Sequence, residues 1–123
     1  MLGGLDDPLC VVMIENSAGL TEARSIASVE GIDGLYVGPW DLSISLRGTP
    51  DPHAEPLRGA LEVVFEIGRQ TGIPIGVHAI DGLTAGHYKR AGCRLVTVAA
   101  DLHAIMASVS RELKVAMQTT DHS

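Results

Sequence analysis

The sequence predicts an α/β fold built on a parallel four-stranded sheet, laid out as four successive βα units. Three observations carry this expectation. Short continuous apolar runs at 10–14, 35–37, 73–77 and 95–99 have the length of strands and lack the alternation of a half-exposed sheet. Each run is followed by a stretch whose apolar residues recur at helical spacing. Gly, Pro, Asn or Asp stands at the junctions, where chain reversals need them. Strand–helix alternation with such apolar strands is the pattern of a parallel sheet. It does not by itself separate a barrel segment from an open doubly wound sheet.

Residues 1–8 contain Gly and Asp and show no periodicity, so they read as a loop entering the first strand. The run at 10–14 reads as buried on both faces. Asn16 or Ser17 can cap the helix that follows, with Leu20, Ala23, Ile26 and Ala27 as its apolar stripe and Glu30-Gly31 as its stop. The second strand, 35–37, runs into a Gly38-Pro39 turn that launches a short helical turn over 42–46. Residues 47–55, rich in Gly, Pro and Asp, predict an exposed loop, the longest connection in the chain. Pro56 suits the first turn of a long helix, whose buried face is Leu57, Leu61, Val64 and Phe65 and whose end is Thr71-Gly72. Pro74 opens the third strand, where a missing donor is tolerated. Asp81 caps a helix reaching Ala91, and Gly92 closes it. Asp101 caps the last helix, with Leu102, Ile105, Met106, Val109 and Leu113 as its stripe. The tail from Gln118 is polar and expected to fray.

A chain of 123 residues is one domain or part of one. The net charge of −6 argues against a nucleic-acid surface, which needs clustered Lys and Arg. No apolar run approaches the ~20 residues of a membrane span, and no signal peptide precedes the first strand. Cys10 and Cys93 lack metal-type spacing and read as buried thiols in a reducing cytoplasm.

Chemistry concentrates at the ends of the first two strands. Glu15 ends one apolar run and Asp41 follows the next, so two consecutive strands deliver one carboxylate each at the carboxyl edge. In parallel α/β folds sites are built at that edge. Two carboxylates there suit a hard divalent cation, which favours oxygen ligands. The competing reading is a helix cap or an ion pair with a loop Arg. Gly38, Pro39 and Trp40 precede a helical turn, so the N–H groups of Trp40 and Asp41 are placed to meet an anion. The plainer alternative is a turn with a surface indole. His78 ends the third strand and His103 opens the last helix. No carboxylate partner is legible for either, so they read as capping or loop histidines rather than proton shuttles. His53, His87 and His122 read as solvated. Residues 72–76 have too few correctly placed glycines for a nucleotide loop.

The segments Val12-Met13-Ile14-Glu15-Asn16, Gly31-Ile32-Asp33-Gly34-Leu35-Tyr36-Val37 and Gly38-Pro39-Trp40-Asp41-Leu42-Ser43-Ile44-Ser45-Leu46 together resemble the HpcH/HpaI aldolase family. The resemblance runs from about residue 9 to 116, and the Gly-Pro-x-Asp-Leu-Ser motif is its most specific part. It implies a (βα)₄ segment like the second half, strands five to eight, of a TIM barrel. A whole barrel takes about 250 residues. On this reading residues 1–123 are one partial barrel domain, ordered over about 9–117. The implied activity is that of a class II pyruvate aldolase. It cleaves or forms a 2-oxo hydroxy acid from pyruvate and an aldehyde, with Mg²⁺, Mn²⁺ or Co²⁺ as Lewis acid. The resemblance implies Glu15 and Asp41 as metal ligands and Gly38, Pro39, Trp40 and Asp41 as substrate-binding residues. It puts the His base and a charge-stabilising Arg in the barrel's first half, to which no residue here is matched. Met13 stands where some members carry Gln, so a polar contact is lost. The bulk of Trp40 would narrow the pocket. The implied partners are the small 2-oxo acid, the aldehyde, and further copies or a complementary half barrel to cover open edges. Two rival readings are a citrate-lyase-like or malyl-CoA-type lyase and a catalytically silent, self-associating fragment.

Overall fold

The structure is a computed structural model and describes residues 8–51 and 53–118. Most of the expected lead-in loop, the tail beyond Gln118, and His122 therefore lie outside the described residues.

The elements follow the order β1 (Val11–Ile14), α1 (Ser17–Ala27), β2 (Gly34–Val37), α2 (Pro39–Arg47), α3 (Glu55–Thr71), β3 (Ile75–Ala79), α4 (Gly82–Arg90), β4 (Leu95–Val98) and α5 (Asp101–Gln118). The four strands are all parallel and lie in chain order, β1-β2-β3-β4. Register sets Met13 opposite Tyr36, Tyr36 opposite Gly76, and His78 opposite Thr97.

Local chemistry explains the boundaries. The Asn16 side chain accepts from the Gly19 N–H at 2.8 Å and starts α1. The Asp81 carboxylate accepts from Thr84 N–H at 2.8 Å and starts α4, which holds its pKa below the usual Asp value. Gly72 ends α3 at φ 77°, a left-handed position that disfavours any residue with a Cβ, and its N–H donates to the Gly68 carbonyl at 2.9 Å.

The core lies between one sheet face and the helices. Ile14, Leu35, Val37, Leu42, Leu57, Val64 and Val77 have no exposed surface. Along each strand these residues alternate with others that point to the opposite face, which carries Val11, Met13, Tyr36, Gly76, His78, Leu95 and Thr97.

The apolar strands suit burial on both faces of a whole barrel; here the core covers one face of the sheet, and the face that would line a barrel lies open, as expected of four strands that cannot close one. Met13 and Leu95, on that face, are each about half exposed. Several expectations need correction. Cys10, expected to be buried, is exposed just ahead of edge strand β1, whereas Cys93 is buried. Burial pushes the Cys93 thiol up to about 11. The third strand runs two residues later than expected, Ile75–Ala79 rather than 73–77. Pro74 offers only its carbonyl, which accepts from Leu35 N–H at 3.0 Å, so the ladder begins after it. His78 thus lies inside β3 instead of ending it. The turn expected over 42–46 is a nine-residue helix that starts at Pro39, since Pro at the first position fits without a donor. The loop over 47–55 is not wholly exposed: Ala54 is buried. Asp101 is the first residue of α5 and not its cap, the Ala104 N–H bonding back to the Ala100 carbonyl at 3.0 Å. The apolar stripe of α5 is open: Leu102, Ile105, Met106, Val109 and Leu113 are each more than half exposed.

Candidate active site

One backbone hydrogen bond and one close approach bring the first two strand ends together. The Gly38 N–H donates to the Ile14 carbonyl at 3.2 Å, so the turn after β2 lies against the residue before Glu15. A Cβ added to Gly38 would sit 3.4 Å from the Glu15 Cβ, 3.8 Å from Glu15 Oε2 and 3.3 Å from the Met13 methyl. Glycine is what lets this turn approach the Glu15 side chain. The first bond of α2 runs from Leu42 N–H to the Gly38 carbonyl at 2.9 Å. The N–H groups of Trp40 and Asp41 precede it and are left outside the helical ladder.

The serines of the Asp-Leu-Ser-Ile-Ser segment fix α2 in place. Ser43 is fully buried; its hydroxyl donates to the Trp40 carbonyl at 2.7 Å and accepts the Asp51 N–H at 3.1 Å. Ser45 Oγ accepts the Ser17 N–H at 2.9 Å, which ties α2 to the start of α1, two residues past Glu15. Nothing in apolar periodicity points to these two roles. The only legible signal is a small polar residue next to a fully buried Leu42.

Glu15 is half-buried and Asp41 exposed. Neither carboxylate makes a hydrogen bond or an ion pair among the described residues, and the nearby Arg47 pairs with Asp51 at 3.0 Å instead. The helix-capping alternative also fails for Asp41, because the cap position of α2 is Gly38 and no side chain caps it. No group of three or more His, Cys, Asp or Glu side chains placed to share a metal ion occurs among the described residues.

The remaining candidates gather one strand further on. Pro39, Trp40, His78, Ile80, Ala99 and His103 line a cavity of about 710 Å³ at the carboxyl ends of β2, β3 and β4. Trp40 keeps about half of its surface exposed there. Ala99 stands at φ 61°, left-handed backbone that is uncommon for a residue with a Cβ, and it forms part of the cavity wall. Glu15 and Asp41 are not among the lining residues. His53 and His87 lie elsewhere, in a groove between α3 and α4.

His78 has a partner that the sequence did not disclose. Its Nδ1 and Thr97 Oγ1 lie 2.9 Å apart, within hydrogen-bond distance, and Thr97 Oγ1 also bonds the Tyr36 hydroxyl. Gly76 makes room for this: a Cβ there would come within 2.7 Å of the Tyr36 ring. Tyr36, His78 and Thr97 are the polar residues within otherwise apolar strands, and that interruption was the available signal.

The parallel sheet with alternating helices is an α/β fold, and its polar side chains lie toward the carboxyl edge at which barrel enzymes build their sites. The chain belongs to the HpcH/HpaI aldolase/citrate lyase family, whose model matches residues 3–108. It is 34% identical over 113 residues to a hydroxypyruvate/pyruvate aldolase of Pseudomonas aeruginosa, covering 91% of this chain and 42% of that protein. A 5-keto-4-deoxy-D-glucarate aldolase of Salmonella gallinarum is 31% identical over 101 residues, covering 82% of this chain and 40% of the relative. A crystal structure of an HpcH/HpaI aldolase/citrate lyase family protein from Burkholderia cenocepacia superposes with a TM-score of 0.84 at 33% identity, covering 89% of this chain and 42% of that one. The chain thus spans about two-fifths of the length of these relatives, and its fold is a part of theirs.

Proposed function

We propose that the chain is the metal- and 2-oxo-acid-binding part of a class II pyruvate aldolase. The reaction is reversible aldol cleavage of a 2-oxo hydroxy acid to pyruvate and an aldehyde. The observation that carries the reading is the pair Glu15 and Asp41. They follow neighbouring parallel strands at the same sheet edge, and neither has a hydrogen-bond or ion-pair partner among the described residues. Carboxylates in such a place need solvent or a cation, and hard divalent ions are commonly held by one or two carboxylates with water completing the shell. The donor set is all oxygen, which fits Mg²⁺, Mn²⁺ or Co²⁺ better than a soft metal. The names of the relatives support the aldol class.

In this reading Glu15 and Asp41 hold the cation. The Trp40 and Asp41 N–H groups, ahead of the α2 ladder, meet the substrate's carboxylate. Gly38 and Pro39 set the approach of that turn, and Trp40 closes one side. A bound divalent cation supplies Lewis acidity toward the 2-oxo acid's oxygens. No described residue corresponds to the family's base and charge-stabilising Arg. General acid–base groups contribute roughly 10²–10⁴-fold, so little turnover is expected from this chain by itself.

The reading extends to partners and place. Edge strands β1 and β4, the open sheet face and the α5 stripe call for cover, by another copy or a complementary half barrel. No described helix is long and apolar enough to cross a membrane. Two free thiols are consistent with a reducing cytoplasm.

The test is pyruvate release from a 4-hydroxy-2-oxo acid, by this chain alone and combined with a first-half fragment of a homologous barrel. The reading expects turnover from the combination that a chelator abolishes. Turnover of acyl-CoA substrates in place of aldehyde adducts would move the chain to the citrate-lyase side of its family. No turnover with either would leave the silent, self-associating fragment.

A further inference from the structure

We propose that His78, held by the Thr97–Tyr36 hydroxyl pair, selects the aldehyde partner, and that this cavity takes an uncharged aldehyde carrying a hydroxyl group. The inference rests on the aldolase reading above and names the other half of its substrate. The cavity is at the same sheet edge as the proposed metal ligands but is lined from β2, β3, β4 and α5. Trp40 borders it and adjoins Asp41 in sequence, so an aldehyde seated there lies next to the 2-oxo acid's turn.

The walls are mainly apolar, formed by Pro39, Trp40, Ile80 and alanines, with His78 and His103 as the polar side chains. Among the described residues no Lys or Arg lines it. A carboxylate or phosphate substituent would lose its hydration there without a fixed cation to replace it. A purely aliphatic aldehyde would leave the His78 ring nitrogen unmatched. A neutral hydroxyl avoids both penalties.

The hydrogen-bond chain sharpens the choice. His78 Nδ1 is engaged by Thr97, and Nε2 makes no hydrogen bond among the described residues. The chain can be satisfied with Nε2 in either of two states. In one, the Tyr36 hydroxyl donates to Thr97, Thr97 donates to Nδ1, and Nε2 carries the hydrogen. In the other, Nδ1 donates to Thr97, Thr97 either donates to the Tyr36 oxygen or accepts its hydrogen as well, and Nε2 is a bare acceptor. Only a group that both donates and accepts, such as a hydroxyl, can match Nε2 in either state. The role is one of selection: His78 positions the aldehyde and breaks no bond.

Trp40 is the sole tryptophan in the sequence, so its emission reports the cavity directly. The experiment titrates the protein with glycolaldehyde, propanal and glyoxylate. These are small aldehydes bearing a hydroxyl, a methyl and a carboxylate. Glycolaldehyde should bind at least about fivefold tighter than the other two, on the scale of one hydrogen bond to a neutral group. The preference should vanish in His78→Phe and shrink in Thr97→Val, a near-isosteric change at an exposed strand position. Imidazole ¹⁵N shifts of His78 should respond to glycolaldehyde in the wild type, and the Nδ1 shift should change in Thr97→Val, where its hydroxyl partner is gone. Equal affinity for glycolaldehyde and propanal, tighter glyoxylate binding, no Trp40 response to any of the three, or a preference that survives His78→Phe would each overturn the proposal. Mn²⁺ binding is followed in the same samples. If it is absent while the aldehyde preference holds, the aldolase reading fails and the cavity's selectivity stands.

Discussion

Gly38 lies against Glu15, close enough that an added Cβ would stand 3.4 Å from the Glu15 Cβ and 3.8 Å from Oε2. The backbone at 38 has φ −97° and ψ 88°, which a residue with a Cβ can adopt, so the glycine is there for space. Gly38→Ala would press on the Met13 methyl at 3.3 Å and on Glu15. Both are flexible side chains, so the stability cost should stay within about 1–2 kcal/mol. Mn²⁺ affinity should fall about tenfold, or ~1.4 kcal/mol, as Glu15 is displaced. Thermal unfolding and metal titration on one sample separate the two effects. Unchanged affinity would show that Gly38 does not position Glu15.

Ser43→Ala tests how α2 is anchored. The change removes a buried hydroxyl and leaves the Asp51 N–H without its 3.1 Å acceptor. A loss of about 1–3 kcal/mol in denaturant unfolding is expected, as for an orphaned buried group. Ser43→Thr keeps the oxygen but adds a methyl in a fully buried place, so it should rescue only in part.

The two cysteines should react at very different rates. Cys10 is exposed and should be labelled at once by a thiol reagent near pH 8, while Cys93 should wait for unfolding. Burial raises the Cys93 pKa from 9.0 to about 11. The folded state therefore keeps this proton longer than the unfolded chain. Its contribution to stability is full below about pH 9 and is lost as pH rises through about 11. Chemical denaturation at pH 8 and pH 10.5 should show the decline, and Cys93→Ala should flatten that part of the profile. Equal labelling of both thiols in the folded protein would contradict the burial.

Association is the next expectation. Strands β1 and β4 are unpaired edges, Met13 and Leu95 are about half exposed on the open face, and α5 presents its whole apolar stripe. Sedimentation should show concentration-dependent self-association, which Ile105→Lys or Met106→Lys should weaken if α5 takes part. A monodisperse monomer across the accessible concentration range would contradict it.

The sequence disclosed the architecture because βα periodicity and caps are local signals. Asn16 and Asp81 announce their helices, and Pro56 and Gly72 bracket α3. Local pattern does not settle exposure, because burial depends on what lies opposite. The apolar run before Glu15 reads as buried on both faces whether or not another layer covers it, and Cys10 was misplaced for the same reason. Pro74 marked the third strand, but its missing donor delayed the ladder, which put His78 inside the strand with a side-chain partner. The carboxylates were legible from their position after apolar runs. Thr97 and Tyr36 were not, because they come within reach of His78 only through strand register, which no local pattern encodes.

The central claim is that Glu15 and Asp41 hold one divalent cation beside Trp40. Mn²⁺ titration followed by Trp40 emission measures this most directly, since the indole adjoins Asp41 and Mn–oxygen distances are short, about 2.0–2.6 Å by analogy with other hard cations. The account predicts saturable quenching by Mn²⁺ and competition by Mg²⁺ without strong quenching. Pyruvate should tighten the metal by reciprocal linkage. Glu15→Gln and Asp41→Asn should each weaken the response, because each removes one formal charge facing the dication. If both variants, folded as judged by circular dichroism, bind Mn²⁺ as tightly as the unaltered chain, the assignment of these two carboxylates as metal ligands is wrong.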